Sequence, residues 1–183
     1  MTIERIAEQI HPILDLPYIR RTRRNHGLEH ATIHILSGRV SNLRMAGRSN
    51  ASGFVLLGEA STTQIEAAAH DALRRMQRGE HDLAVHPNCG TNLVTTAFMV
   101  SAAALFGMTG ASRRGLWDRL PAVFSLVMIM LFFSPSVGTS LQRHITTEGD
   151  PGDLEIVGIT RREVRLIGND SPLIVHHVRT TGG

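Results

Sequence analysis

The sequence predicts an α+β protein: a small soluble mixed domain with an inserted two-helix transmembrane hairpin. Two uncharged apolar stretches, residues 91–110 and 120–142, are long enough to cross a bilayer as helices, because about 20 helical residues span its hydrocarbon core. The 183-residue chain therefore divides into an N-terminal soluble part (residues 1–90), the hairpin (91–142) and C-terminal strands that complete the soluble domain (143–183).

The N-terminal part carries signals for a helix followed by a β-hairpin. Helical signals run over residues 18–36 and end at Gly38, a residue type favoured just past a helix. Residues 40–45 and 53–58 then have the pattern of two strands, joined by a turn-prone stretch at 47–50.

A second helix and a second pair of strands follow. The helix begins at Ser61, which can form a capping box with Gln64. After the apolar stretches, residues 154–166 and 173–178 alternate as strands do, with a predicted turn at 168–170. We expect one sheet to draw strands from both sides of the inserted hairpin.

Composition limits the classes of partner. The net charge of +3 rests on arginines that are dispersed along the chain, and aromatic residues make up only 4%. No basic surface with stacking aromatics is indicated, so we expect no nucleic-acid partner. A single cysteine excludes an internal disulfide and suits a reducing compartment or a metal ligand.

Two features of the sequence favour opposite orientations of the chain in the membrane. The loop at residues 111–119 contains three arginines, which favours a cytoplasmic loop. The N-terminal 90 residues would then have to cross the membrane, although they lack the charged-then-apolar order of a cleavable signal peptide. We expect the soluble part to lie on the cytoplasmic side. The sequence carries no signal for an oligomeric state.

The run His26-Gly-Leu-Glu29-His30 is the clearest candidate for chemistry. On a helix, His26 and His30 lie one turn apart and point from one face. The order H-x-x-E-H is typical of inverted zinc peptidases, in which both histidines bind zinc and the glutamate activates water. His34 extends the same face by a further turn. The pattern predicts a metal site with Glu29 as the catalytic residue.

A second candidate ligand pair is His86-x-x-Cys89. A histidine and a thiolate three residues apart can both reach one cation from a loop, although a lone cysteine is also commonly an inert buried residue. The ligand set suits a divalent metal, with zinc preferred because it accepts imidazole and thiolate; iron, nickel and copper stay open.

Polar residues directly after the second apolar stretch are candidates for substrate contact or for supporting the ligands. If the hairpin closes, this segment emerges at the same membrane boundary as the one around His86. The alternative is a simple hydrophilic exit loop. The candidates are Gln142, Thr146, Thr147, Glu148 and Glu155.

Three runs carry a family resemblance: NHGLEHATIH, HPNCGTN and SLQRHITTEGDPGDLEIV. In this order around apolar helices they resemble the YqhQ-like family of bacterial membrane proteins, which is generally described as predicted metal-dependent enzymes. The resemblance covers residues 25–157 and implies a site in a bacterial cytoplasmic membrane protein. The chain departs from the family pattern at residues 148–151, which leaves open the carboxylate that serves the site. The positions carried over are His26, Glu29, His30, His86, Cys89, Thr91, Gln142, Thr146 and Thr147.

The H-x-x-E-H run is also similar to that of the insulinase and pitrilysin peptidases, with Glu66 as the counterpart of their downstream glutamate ligand. The order of the other two runs favours the YqhQ-like resemblance.

Two functions follow from these residues, beside a third reading in which the histidines of a membrane protein bind no metal. One is a membrane-bound, metal-dependent hydrolase acting on a membrane peptide or a lipid-linked substrate, with Glu29 as general base. The other is a non-enzymatic membrane scaffold or assembly factor, in which His30, His34, His86 and Cys89 form a closed structural site.

Overall fold

The computed structural model describes residues 2–110, 115–165 and 172–183. The chain forms two compact units, one made of residues 1–86 and 143–183 and the other of residues 87–142. The described residues combine helices with a sheet, as the predicted α+β class requires. The elements are α1 (Ile3–Leu14), α2 (Pro17–Arg39), β1 (Met45–Asn50), β2 (Gly53–Gly58), α3 (Thr62–Gln77), a 3₁₀ turn (His81–Ala84), α4 (Gly90–Met108), α5 (Leu116–Leu141), a π-helical turn (Gln142–Thr146), β3 (Glu155–Val164) and β4 (Leu173–Thr181).

The first unit contains one four-stranded antiparallel sheet in the order β1-β2-β4-β3. Its central pair is β2 with β4, in a register that places Phe54 opposite Val178 and Leu56 opposite His176. Strands from before and after residues 87–142 therefore share one sheet, which confirms the expectation from the sequence.

The core of this unit forms where α2 and α3 pack on the sheet. Leu28 and Leu36 of α2, Ile65 of α3, and Phe54 and Leu56 of β2 are all at most 2% exposed and belong to one apolar cluster. Because α2 is buried along much of its length, the residues around its H-x-x-E-H run are fixed by packing on several sides.

The predicted position of β1 was wrong. The strand spans Met45–Asn50, so the stretch at residues 47–50 that was predicted as a turn is strand, and the connection to β2 is Ala51-Ser52. The Asn50 side chain stabilises this short connection, because its Oδ1 accepts hydrogen bonds from the backbone N–H and the hydroxyl of Ser52, at 2.8 and 2.7 Å. Gly53 follows with a positive φ of 138°.

Helix α1 was not among the predicted elements. Its apolar residues repeat at helical spacing, and of them Ala7 and Leu14 are buried. Helix α2 begins at Pro17, close to the predicted start at residue 18. Two predicted features, residues 111–114 of the arginine-containing loop and the turn at 168–170, lie outside the described residues.

The second unit is an antiparallel pair of helices, α4 and α5. The Thr96 hydroxyl donates to the Ser134 hydroxyl at 2.8 Å, and Gln142 Nε2 donates to Asn92 Oδ1 at 2.8 Å. Gly138 lets the backbones approach, because a Cβ there would lie 3.0 Å from the Asn92 Cα. Both helices are long and apolar enough to cross a membrane, and only 11% and 6% of their apolar windows is buried.

Candidate metal centre

Helix α2 brings two histidines together on one face. The rings of His26 and His30 meet edge to face with their centroids 4.4 Å apart, and their ligand nitrogens lie within 4.8 Å of each other. His30 is buried at 2% exposure, and His26 is half-buried. One turn of helix separates them, so the spacing read from the sequence gives the expected adjacency.

The hydrogen bonds of these two imidazoles fix their tautomers. His26 Nδ1 is 2.9 Å from the carbonyl oxygen of Thr146, and His30 Nδ1 is 2.7 Å from that of Ala84. Because a carbonyl oxygen can only accept, each Nδ1 carries the proton and donates it. Each Nε2 then carries the lone pair. This is the arrangement typical of histidines that bind a metal, since a backbone carbonyl on one ring nitrogen orients the other.

His86 and His34 extend this pair into a row of imidazoles. The ring centroid of His86 lies 5.9 Å from that of His30 and 6.3 Å from that of His34. Burial lowers the pKa of His86, and the neighbouring His30 and His34 lower it further. The neutral ring is therefore favoured, which is the form that binds metals. His34 is exposed, so it lies at the outer edge of the row.

Cys89 belongs to the second unit and is the N-cap residue of α4. Its sulfur accepts a hydrogen bond from the backbone N–H of Thr91 at 3.4 Å. Its assignment as a ligand rests on its position three residues after His86, and it stays a prediction.

Glu29 points toward β1. Its carboxylate is 4% exposed and accepts a hydrogen bond from the Ser49 hydroxyl. Gly47 makes room for it, since a Cβ at that position would overlap the carboxylate. Burial raises the pKa of Glu29, and the Ser49 hydroxyl and the nearby His26 oppose that shift. This places a buried carboxyl with a raised pKa near His26.

The segment that supplies the Thr146 carbonyl is held by Arg23. Arg23 Nε donates to the carbonyl of Ile145 at 2.8 Å, and Nη2 donates to that of Thr147 at 3.2 Å. Nη1 forms an ion pair with Glu148 at 2.8 Å, and both side chains are less than a fifth exposed. Thr146, Thr147 and Glu148 are thus brought to α2, where Thr146 contributes its backbone carbonyl and Glu148 anchors the segment.

Gly27 is the point where both supporting segments approach the helix. A Cβ at this position would overlap the carbonyl oxygen of Glu148 and lie 3.1 Å from the Cβ of Ala84. The segment of Glu148 carries the acceptor for His26, and Ala84 itself supplies the acceptor for His30. A glycine between the two histidines therefore lets both carbonyls reach their rings.

The two remaining predicted residues have other surroundings. Gln142 lies in the second unit, where it binds Asn92. Glu155 is exposed at the start of β3, in register with Thr181 of β4.

Four residues that shape the centre were not predicted from the sequence as part of it. They are Arg23, Ser49, Ala84 and Gly27, the last of which leaves room for the two supporting segments. Arg23 was visible only as one of several dispersed arginines, and Ala84 acts through its backbone, which no side-chain pattern reports. Gly27 offered a signal, because a glycine inside a well-formed helix usually marks a close approach.

Comparison with known proteins gives the family of the chain. Residues 21–159 match the sequence model of a family described as a domain of unknown function (DUF6391). An uncharacterised protein of Picosynechococcus sp. (strain PCC 7002) is 31% identical over 137 residues, which make up 68% of this chain and 65% of that protein. The chain thus spans just under two thirds of that relative's length. No solved structure matches it.

Proposed function

The chain belongs to the DUF6391 family, and from its own geometry we propose that it is a membrane-bound, metal-dependent hydrolase whose metal is held by His26 and His30. One observation carries the metal site. Two imidazoles one helical turn apart each donate Nδ1–H to a backbone carbonyl, so Nε2 is the ring nitrogen with the lone pair in both, and the two rings are adjacent on the same helix face.

Zinc is the preferred metal, because neutral imidazoles suit it and because it commonly takes three or four ligands of this kind. His86 is the next ligand candidate, since its ring is adjacent to that of His30 and its lowered pKa favours the neutral form. Cys89 is proposed from the H-x-x-C spacing, and His34 as a ligand at the outer edge. A bound zinc ion would supply Lewis-acid polarisation of a substrate carbonyl and of water.

Glu29 is proposed as the general base. Its carboxylate accepts a hydrogen bond from the Ser49 hydroxyl and occupies the space that a side chain at Gly47 would fill, and burial raises its pKa. A carboxyl whose pKa is moved upward toward neutrality can take a proton from water and return it to a leaving group. Glu29 lies close enough to His26 for the imidazole to oppose the upward shift of its pKa.

The membrane part of the proposal rests on α4 and α5, whose length and apolar composition suit a transmembrane hairpin. We place the protein in the cytoplasmic membrane, with the first unit on the cytoplasmic side. A membrane peptide or a lipid-linked compound is the proposed substrate class. The resemblance to YqhQ-like membrane proteins agrees with this placement and stays a prediction.

The experiment pairs metal content with turnover in the full chain. His26→Ala combined with His30→Ala should remove the bound metal, whereas His11→Ala, at an exposed residue of α1, should leave it. Glu29→Gln should keep the metal and lose hydrolysis of p-nitrophenyl acetate and of a fluorogenic hydrophobic peptide. Turnover by the Glu29→Gln variant at the wild-type rate would refute the assigned base.

A structural metal site is the second candidate, and one observation favours it. The Glu29 carboxylate is already engaged by Ser49 and is almost completely buried, which suits a supporting residue as well as a base. X-ray absorption separates the two, because a structural site has four protein ligands while a catalytic site keeps an oxygen ligand from water.

A further inference from the structure

The sheet packs on α2 and α3 with one of its two faces. Phe54 and Leu56 of β2 lie in the core with residues of both helices, and Gly47 and Ser49 of β1 meet Glu29 of α2 on the same side. Side chains alternate along a strand, so the residues between these positions lie on the opposite face. This outer face is defined by Arg48 of β1, Val55 and Leu57 of β2, Val175 and Arg179 of β4, and Arg162 of β3.

The outer face is positively charged. Arg48, Arg162 and Arg179 are exposed, and among the residues that the structure describes none of the three forms an ion pair or donates a hydrogen bond. Within the described strands, the positions of this face carry a single carboxylate, Glu155, which lies at the start of β3 in register with Thr181. The three guanidinium groups are therefore available to carboxylates of a partner.

Between these arginines the outer face is apolar. Val55 and Leu57 of β2 are half-buried, and Val175, which lies opposite Leu57 on β4, is 7% exposed. A pocket of about 890 Å³ adjoins this patch, and Leu57 lines it together with Ala46 and Leu173. Apolar side chains on the central strands are what a sheet normally presents to a packed layer. The outer face thus combines an apolar centre with a basic margin.

We propose that the outer face binds an amphipathic helix with acidic flanks, supplied by a partner protein. The outermost strands β1 and β3 are three strand spacings apart, which is about 14 Å. A helix with its side chains is about 10–12 Å wide. Lying along β2 and β4, such a helix places its apolar stripe on Val55, Leu57 and Val175. Its two flanks then lie beside Arg48 on β1 and Arg162 on β3.

Other anionic partners fit the outer face less well. Its strand positions carry no Phe, Tyr or Trp within the described strands, so it offers no stacking surface for the bases of a single-stranded nucleic acid. Binding to an anionic membrane favours exposed Trp, Phe or Leu, whereas Val55 and Leu57 are half-buried. Helix α2, which carries His26 and His30, packs on the opposite face of the sheet, so the inference is independent of the proposed metal site.

The test measures binding of a designed helical peptide to the full-length protein in nanodiscs of phosphatidylcholine. The fluorescein-labelled peptide carries leucines at helical spacing along one face and glutamates on both flanks, and its binding is followed by fluorescence anisotropy. A matched peptide has glutamine in place of every glutamate. Labelled single-stranded RNA and vesicles containing phosphatidylglycerol are measured in parallel.

Two triple variants with the same change in net charge are compared. The first removes the charges of the outer face, and the second removes three exposed arginines of α1 and of the end of α3. All six side chains are exposed, so both variants should keep the denaturation midpoint of the wild type. The outer-face variant is Arg48→Gln, Arg162→Gln, Arg179→Gln, and the control variant is Arg5→Gln, Arg74→Gln, Arg78→Gln.

The acidic peptide should bind the wild type and the control variant equally. It should bind the outer-face variant about tenfold more weakly, and the glutamine peptide should lose a similar factor against the wild type. Val55→Thr keeps the branched shape but adds a hydroxyl at the apolar centre, so it should weaken binding about threefold or more.

Three results would overturn the proposal. One is a dissociation constant of the acidic peptide above about 1 mM for the wild type. Another is equal affinity of the two triple variants, which would show that the outer face is not the binding surface. The last is tighter binding of RNA or of the anionic vesicles than of the peptide, lost in the outer-face variant, which would assign the face to a nucleic acid or to a membrane surface.

Discussion

Replacing Gly27 by alanine tests whether the two carbonyls position the histidines. The new Cβ would overlap the Glu148 carbonyl oxygen and press on the Ala84 Cβ at 3.1 Å. Both neighbours belong to segments that supply acceptors to the ligand pair, so a shift of either segment moves a ring. Gly38 provides the matched control in the same helix, because a Cβ there has nothing within 4 Å.

The two substitutions should change the free energy of unfolding in opposite directions. Alanine in place of glycine favours a helix by about 1 kcal/mol, and this gain is all that Gly38→Ala should show. Overpacking a buried site costs about 1–3 kcal/mol, so Gly27→Ala should lower the free energy of unfolding by up to about 2 kcal/mol after the helix gain is subtracted. Loss of the hydrogen bond that orients a ligating histidine costs about tenfold or more in metal affinity.

The assay is competition for zinc against a chromogenic chelator, combined with denaturant unfolding of the metal-free protein. We expect Gly27→Ala to bind zinc at least about tenfold more weakly than Gly38→Ala. Equal affinity for the two variants would show that the carbonyls of residues 84 and 146 do not position the ligands.

Three further predictions follow from individual contacts. Arg23→Lys keeps the positive charge but loses the guanidinium N–H groups that bind the carbonyls of residues 145 and 147. The Thr146 carbonyl should then orient His26 less well, so zinc affinity should fall about tenfold in the same competition assay; unchanged affinity would mean that the guanidinium does not position the segment at 144–148. Gly47→Ala should lower the free energy of unfolding by about 1–3 kcal/mol, because the methyl group overlaps the Glu29 carboxylate; an unchanged denaturation midpoint would contradict this. Burial, and secondly Arg161, lower the pKa of His176. As pH falls below the ordinary value of about 6.5 the unfolded chain takes up this proton first, so stability present above that pH is lost below it. Metal-free His176→Gln should therefore lose less stability than metal-free wild type between pH 7.5 and 5.5, and parallel losses would refute the assignment.

Short sequence patterns predicted the features that depend on residues within one helical turn of each other. The capping box at the start of α3 is present, with the Gln64 N–H donating to the Ser61 hydroxyl at 3.2 Å and the Ser61 N–H donating to Gln64 Oε1 at 2.9 Å. The adjacency of His26 and His30 likewise follows from helical spacing alone. These features depend on residues within one turn of each other.

Contacts between distant segments explain what local pattern got wrong. Residues 47–50 have turn composition, yet they form a strand that pairs with β2, and Gly47 and Ser49 in this strand accommodate the buried Glu29 of α2. Tertiary contact here overrides local propensity. Helix α1 is a different case, because its isoleucines at positions 3, 6, 10 and 13 repeat at helical spacing and the sequence therefore contained the signal for this helix.

For the candidate site, the sequence supplied the ligand types but not their supports. The acceptors for His26 and His30 are backbone carbonyls from segments 120 and 54 residues away in the chain. A carbonyl carries no residue identity, so only the folded arrangement of those segments reveals it. The same holds for Arg23, whose guanidinium role depends on where residues 144–148 lie.

The most direct test of the central claim is metal analysis combined with X-ray absorption on the full-length protein purified without added metal. The proposal predicts about one equivalent of a transition metal per chain, zinc above all, with at least two imidazole nitrogens about 2.0–2.1 Å from the metal. The His26→Ala, His30→Ala double variant should lose that metal while His11→Ala retains it. Less than about a tenth of an equivalent in the wild-type protein, unchanged after incubation with zinc, would contradict the metal site.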